Sequence, residues 1–132
     1  MTADPLEQLF VRTEQVEQEQ RELLAKLILP YAGINPETGE VYFKSTADEL
    51  NAKQKIIIYL LCRLALSALP STSFSSVVSP KEIEKDTNLP GGTVRPKMTQ
   101  LVDAKLVAKS GDGYSIPPAY LHKAKAALPT PD

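Results

Sequence analysis

The stretch from Ser79 to Ile116, SPKEIEKDTNLPGGTVRPKMTQLVDAKLVAKSGDGYSI, decides how this chain folds. Ser79 is a favourable N-cap, Pro80 suits the first helical position, and Glu82, three residues after the cap, makes a capping box. The helix begun there is short, because Asn88 accepts the left-handed conformation that ends helices and Pro90 cannot continue one. Beyond it, Val94, Met98, Leu101 and Val102 recur with the 3.6-residue period of a buried stripe, which predicts a second helix over about 92–104. Pro96 constrains its start. A helix from Gly91 would carry the proline beyond its first turn at a cost of about 3 kcal/mol, whereas a start at Gly92 or Thr93 keeps it inside that turn. Leu106 to Lys109 and Tyr114 to Ile116 flank the turn Ser110-Gly111-Asp112-Gly113 and read as a hairpin. Leu101 and Leu106 should be buried where helix meets hairpin, with Ile83 opposite.

Upstream, Asn51 is the N-cap expected for a long helix from Ala52 to Leu69. That helix is apolar almost all round from Ile56 to Cys62, so it must be covered on more than one side. A Ser-rich connector, Pro70 to Ser76, follows, with Phe74 tucked against the core and Val77-Val78 as a short strand. Nearer the N-terminus, Asn35-Pro36-Glu37-Thr38-Gly39 is a turn between Tyr31–Ile34 and Glu40–Lys44, and Val41 and Phe43 alternate with Tyr42 and Lys44 as in a half-exposed strand.

From Ser79 to Ile116 the order is helix, tight turn, helix, hairpin. This run resembles the winged helix-turn-helix superfamily, and most of all the MarR-type bacterial and archaeal regulators. SPKEI, TNLPGGTVRP and LVDAKLV carry the resemblance. The upstream helix and Val77-Val78 fit that family's first helix and first strand, so roughly residues 50–116 are covered. The fold class implied is mainly α with small β-hairpins, a winged helix-turn-helix core preceded by a long N-terminal helix. The resemblance specifies fold more sharply than function, since winged helices also serve as protein–protein modules.

If the family's way of reading DNA carries over, the second helix enters the major groove. With Val94 and Met98 inward, its exposed candidates are Thr93, Arg95, Lys97 and Gln100, and Lys109 is the one cation near the wing. Arg95 suits a bidentate grip on guanine, and the others suit phosphates or base edges. The segment departs from the family in two ways. Its second helix is less basic than in many regulators, and the wing tip carries Asp112 rather than arginine.

At the N-terminus, Leu6, Leu9, Thr13, Val16, Gln20, Leu23 and Leu27 alternate spacings of three and four, an a/d seam over three heptads. A stripe so narrow needs another surface to bury it. Either it packs on its own domain or a second copy supplies that surface; the second is expected, which makes Leu6, Leu9, Val16, Leu23 and Leu27 candidate dimerisation residues and the chain a homodimer. The organisation expected is an N-terminal helix and hairpin over 1–50 for dimerisation or interaction, a winged domain with a C-terminal helix over 51–127, and a tail over 128–132.

Composition agrees with one soluble domain of 132 residues, 42% hydrophobic and 23% charged. Net charge is −1, yet residues 1–50 hold ten acidic against four basic side chains, and residues 51–125 hold eleven basic against five acidic. Such asymmetry allows a basic DNA-facing surface with an acidic end directed away from phosphate. One cysteine, Cys62, excludes an internal disulfide framework and reads as a buried thiol in a reducing cytosol. MTADPLEQLF lacks the features of a signal peptide, and Ile56–Leu69, broken by Arg63, is too short to span a bilayer.

No enzyme chemistry emerges, and no catalytic residue, cofactor or metal site is expected. His122 has no acidic or cysteine neighbour for a triad or metal site, and Gly91-Gly92 lacks the continuation and preceding strand of a phosphate loop. Two functions remain. One is a dimeric protein binding double-stranded DNA, a cytoplasmic, nucleoid-associated transcriptional regulator. The other is a winged-helix interaction subunit holding another protein within a larger assembly.

Overall fold

The computed structural model describes residues 18–68 and 74–129. In chain order these form α1 (Gln18–Ile28), β1 (Ala32–Ile34), β2 (Val41–Phe43), a 3-10 turn (Ser45–Glu49), α2 (Ala52–Ala68), α3 (Pro80–Thr87) and α4 (Gly91–Asp103). After these come β3 (Ala108–Ser110), β4 (Gly113–Ser115), a second 3-10 turn (Pro118–Tyr120) and α5 (Leu121–Ala127). The chain is mainly helical with two small antiparallel hairpins, β1–β2 and β3–β4.

The apolar run of α2 sets the centre. Ile56 to Cys62 are all at most 1% exposed, since a helix apolar on every side must be wrapped. Packed on it are α1, α3, α4, β1 and β4. Its start is fixed by a reciprocal cap: Asn51 Oδ1 accepts from the Gln54 N–H at 2.9 Å, and Gln54 Oε1 from the Asn51 N–H at 3.0 Å. Arg63, the one cation in the α2 interior, turns toward the connector. It donates to the Ser75 carbonyl at 3.0 Å and stacks on Phe74, whose ring also closes over the turn at Gly39.

The first hairpin pairs Ala32 with Phe43 and Ile34 with Val41, as the alternation predicts. Asn35 organises its turn, accepting from the N–H groups of Glu37 and Thr38 at its side chain and of Gly39 at its carbonyl.

The seam expected to hold a dimer needs correction at its described end. Leu27 is 5% exposed within the single chain, Leu23 is half-buried, and Leu24 and Ile28 join the same core. This end of the helix buries a wide stripe against α2 and α5 of its own chain, so Leu27 belongs to the core and Leu23 packs at its edge. Leu6, Leu9, Thr13 and Val16 lie outside the described residues. The core thus runs across the boundary placed at residue 50. It also takes in Leu128, 6% exposed, which the sequence reading assigned to the tail. Among the described residues no helix is long and apolar enough to cross a membrane.

Candidate nucleic-acid interface

The α3–α4 unit is assembled by local chemistry. Ser79 Oγ accepts from the Glu82 N–H at 3.2 Å and Glu82 Oε1 accepts from the Ser79 N–H at 3.4 Å, the reciprocal cap expected from SPKE. Asn88 ends α3 at φ 58°, as an Asn in the left-handed region does. Leu89 and Pro90 complete the turn, and the Pro90 carbonyl accepts from Thr93 and Val94, so Pro90 caps α4 and the helix starts at Gly91. The start expected at Gly92 or Thr93 is therefore corrected. Pro96 lies inside α4, beyond the first turn, and has no N–H to give the Gly92 carbonyl. The gap falls on the exposed side of the helix, where Gly92 and Pro96 both face solvent, and water can serve the freed carbonyl there.

Gly91 opens α4 opposite Glu84 of α3. A Cβ at that position would come within 2.0 Å of Glu84 Oε1, so the α3 carboxylate lies directly across the head of α4.

The inward face of α4 is as predicted, with Val94, Met98 and Leu101 at most 1% exposed and Ile83 of α3 fully buried. The outward residues do not form one face. Successive positions turn by about 100°, which places Thr93, Lys97 and Gln100 along one edge and Arg95 on the other. Between them lie Gly92, Pro96 and Thr99, all exposed. Arg95 and Gln100 are exposed, whereas Thr93 and Lys97 are half-buried. Thr99 escaped the sequence reading, although its position, one turn after Arg95, was the available signal. Its hydroxyl donates to the Arg95 carbonyl at 3.2 Å.

The second hairpin differs from expectation in register. Its strands begin later than Leu106, because α4 ends in a Schellman arrangement: the Leu106 N–H bonds the Leu101 carbonyl at 3.0 Å and the Lys105 N–H bonds that of Val102 at 3.0 Å. Lys105 takes φ 59° to close it. Val107, 2% exposed, then enters the core while Leu106 is only half-buried. Ser110 pairs with Gly113 across the two-residue turn Gly111-Asp112, which carries the exposed acid at the tip. Val78 joins the edge of this hairpin through two backbone hydrogen bonds with Tyr114, at 2.8 and 2.9 Å. Gly113 is required where the strands cross, since a Cβ there would lie 2.3 Å from Val77 Cγ1.

Lys109 projects from β3 and is exposed, as are Lys81 and Lys85 of α3 and Lys105 at the end of α4. Acids are interspersed among them: Glu84 at the head of α4, Asp103 at its end and Asp112 at the hairpin tip. The surface is therefore mixed in sign rather than a continuous cationic stripe. Cys62 is buried, and burial pushes its thiol up to about 12. His122 is exposed on α5. Among the described residues no three His, Cys, Asp or Glu side chains converge as a metal site would require. Comparison of the chain with protein-family models, with characterised proteins and with solved structures returned no match.

Proposed function

We propose that this chain is a winged helix-turn-helix protein that binds double-stranded DNA as a homodimer and regulates transcription in the cytoplasm, at the nucleoid. The observation that carries the reading is the pairing of α3 and α4 across the three-residue turn Asn88-Leu89-Pro90, with the α4 outer surface left open and a hairpin beside it. In this reading α4 lies in the major groove. Arg95 contacts a base edge from one side of the helix, Thr93, Lys97 and Gln100 meet the other wall, and Lys109 of the hairpin takes a phosphate. The split between Arg95 and Lys97 supports a helix seated lengthwise in the groove, where both edges meet a strand. The acidic N-terminal half is then directed away from phosphate.

A second reading has its own support. Glu84, Asp103 and Asp112 interrupt the cationic surface, which suits a protein partner better than a phosphate backbone. The two readings separate in a binding titration of the full chain on genomic DNA fragments over a salt series. A DNA-binding protein loses affinity as salt rises, because each neutralised phosphate releases counterions. Arg95→Ala with Lys97→Ala should cost about 1–3 kcal/mol and flatten the salt slope without lowering the melting temperature, since neither side chain is in the core. Full-strength binding by this double variant would remove α4 as the reading element, and absence of any salt-sensitive binding would favour the protein-partner reading.

A further inference from the structure

Two residues that disfavour helix stand on the most exposed line of α4, and the packing of this chain requires neither. Gly92 is exposed, and a Cβ added to it would meet no atom within 4 Å, although glycine is a poor helix former. Pro96 is exposed as well, and it deprives α4 of the bond to the Gly92 carbonyl. Thr99 continues the line three residues on. Its hydroxyl donates to the Arg95 carbonyl at 3.2 Å, so the side-chain proton is held within the helix and the γ-methyl is left to meet a partner. Steps of about 100° per residue put the three within about 60° of one another, opposite Val94, Met98 and Leu101. The ridge they form is low and neutral. It offers no side-chain N–H, and its one hydroxyl proton is already engaged.

We propose that this ridge reads thymine: in the major groove it packs on the C5-methyl groups of two neighbouring A·T pairs, Pro96 on one and the Thr99 methyl on the next. The inference rests on the DNA-binding part of the function proposed above and names the class of sequence that α4 takes. The C5-methyl is the apolar group by which the major groove marks thymine, and a ridge without a donor gains nothing from the acceptors of guanine. Spacing agrees. Pro96 and Thr99 lie about 4.5 Å apart along the helix axis, close to the roughly 3.4 Å that separates successive base pairs. Gln100, exposed beside Thr99, is the residue type that pairs with adenine N6 and N7, so one A·T pair engages both. The absence of a side chain at Gly92 lets the backbone at the head of α4 approach the base edges closely. Asp103, next on the same line, is exposed and repels phosphate, so the contact ends at Thr99.

The methyl group can be removed from the DNA and from the protein separately. Duplexes are selected by the full-length chain from a randomised pool and then synthesised twice, once with thymidine and once with deoxyuridine, which keeps every hydrogen-bonding group and lacks the methyl. The selected sequences should be enriched in adjacent A·T pairs. Their deoxyuridine versions should bind about fourfold more weakly for each methyl group no longer buried. Thr99→Ser deletes the γ-methyl and retains the hydroxyl that bonds the Arg95 carbonyl. It should narrow the difference between the two duplexes, and Pro96→Ser with Thr99→Ser should abolish it, both with the wild-type circular dichroism spectrum. Selected duplexes that bind equally well with deoxyuridine overturn the thymine assignment while leaving DNA binding in place. So does a doubly substituted chain that keeps the wild-type difference, or a chain that binds DNA in a salt-sensitive manner but selects no sequence. Absence of salt-sensitive binding to any duplex overturns the DNA-binding reading and this inference with it.

Discussion

Tyr59 and Cys62 lie one turn apart on α2, both 0% exposed, and each holds a proton the buried helix cannot afford to lose. The Tyr59 hydroxyl donates to Asp86 Oδ2 at 2.5 Å, tying α2 to α3, and burial together with that carboxylate raises the phenol far above its usual range. Burial alone raises the Cys62 thiol from 9.0 to about 12. Both folded-state values exceed the unfolded ones, so the folded chain binds more protons as pH rises past the unfolded range. The stabilisation is complete below about pH 8.5 and is lost above it. Melting temperature should therefore fall steadily from about pH 9 toward pH 12, and Cys62→Ala should make that decline shallower. An alkaline profile identical in wild type and Cys62→Ala would show that the thiol is not shielded as described. The sequence alone indicated a buried thiol; the Tyr59–Asp86 link joins residues 27 positions apart, and no local signal announces it.

At the level of elements, the ends of helices carried most of the legible information, and also the main errors. The caps at Ser79 and Asn51 were readable because each places a short polar side chain where backbone groups lack partners, and Asn88 because asparagine tolerates the left-handed conformation that ends a helix. The end of α4 was not readable. Lys105 occupies the left-handed position that glycine usually fills, and a lysine gives no sign of it. Missing that turn moved the predicted hairpin strand up to Leu106 and put the wrong side chain in the core. A non-glycine residue in this conformation costs roughly 1 kcal/mol, so Lys105→Gly should stabilise the chain by about that amount in denaturant unfolding. A loss of stability would mean that the Lys105 side chain makes a contact worth more than its strain. Pro96 was misplaced for a different reason. The expectation weighed only the cost of an interior proline, whereas the Pro90 cap fixes the start of α4 at Gly91, and the bond Pro96 cannot make falls on an exposed side of the helix.

For the whole molecule, the separating quantity is where α1 spends its apolar surface. Because Leu24, Leu27 and Ile28 are part of the shared core, removing residues 1–29 should expose α2 and yield aggregated protein. Removing residues 1–17 should leave the core intact and give a folded monomer. Light scattering and thermal melts on the two truncations check this, and a dimeric 18–132 fragment would place the interface elsewhere. The sequence by itself determined the mainly helical class, the two hairpins, the inward face of α4 and the centrality of α2. All of these follow from periodicity, capping and turn chemistry, which act over a few residues. Only the tertiary structure decided that α1 packs on its own chain, that Val107 displaces Leu106, and that Arg95 and Lys97 lie on opposite edges of α4. These depend on which surfaces meet after the chain has closed on itself, and a stripe of leucines records that it will be buried without recording against what.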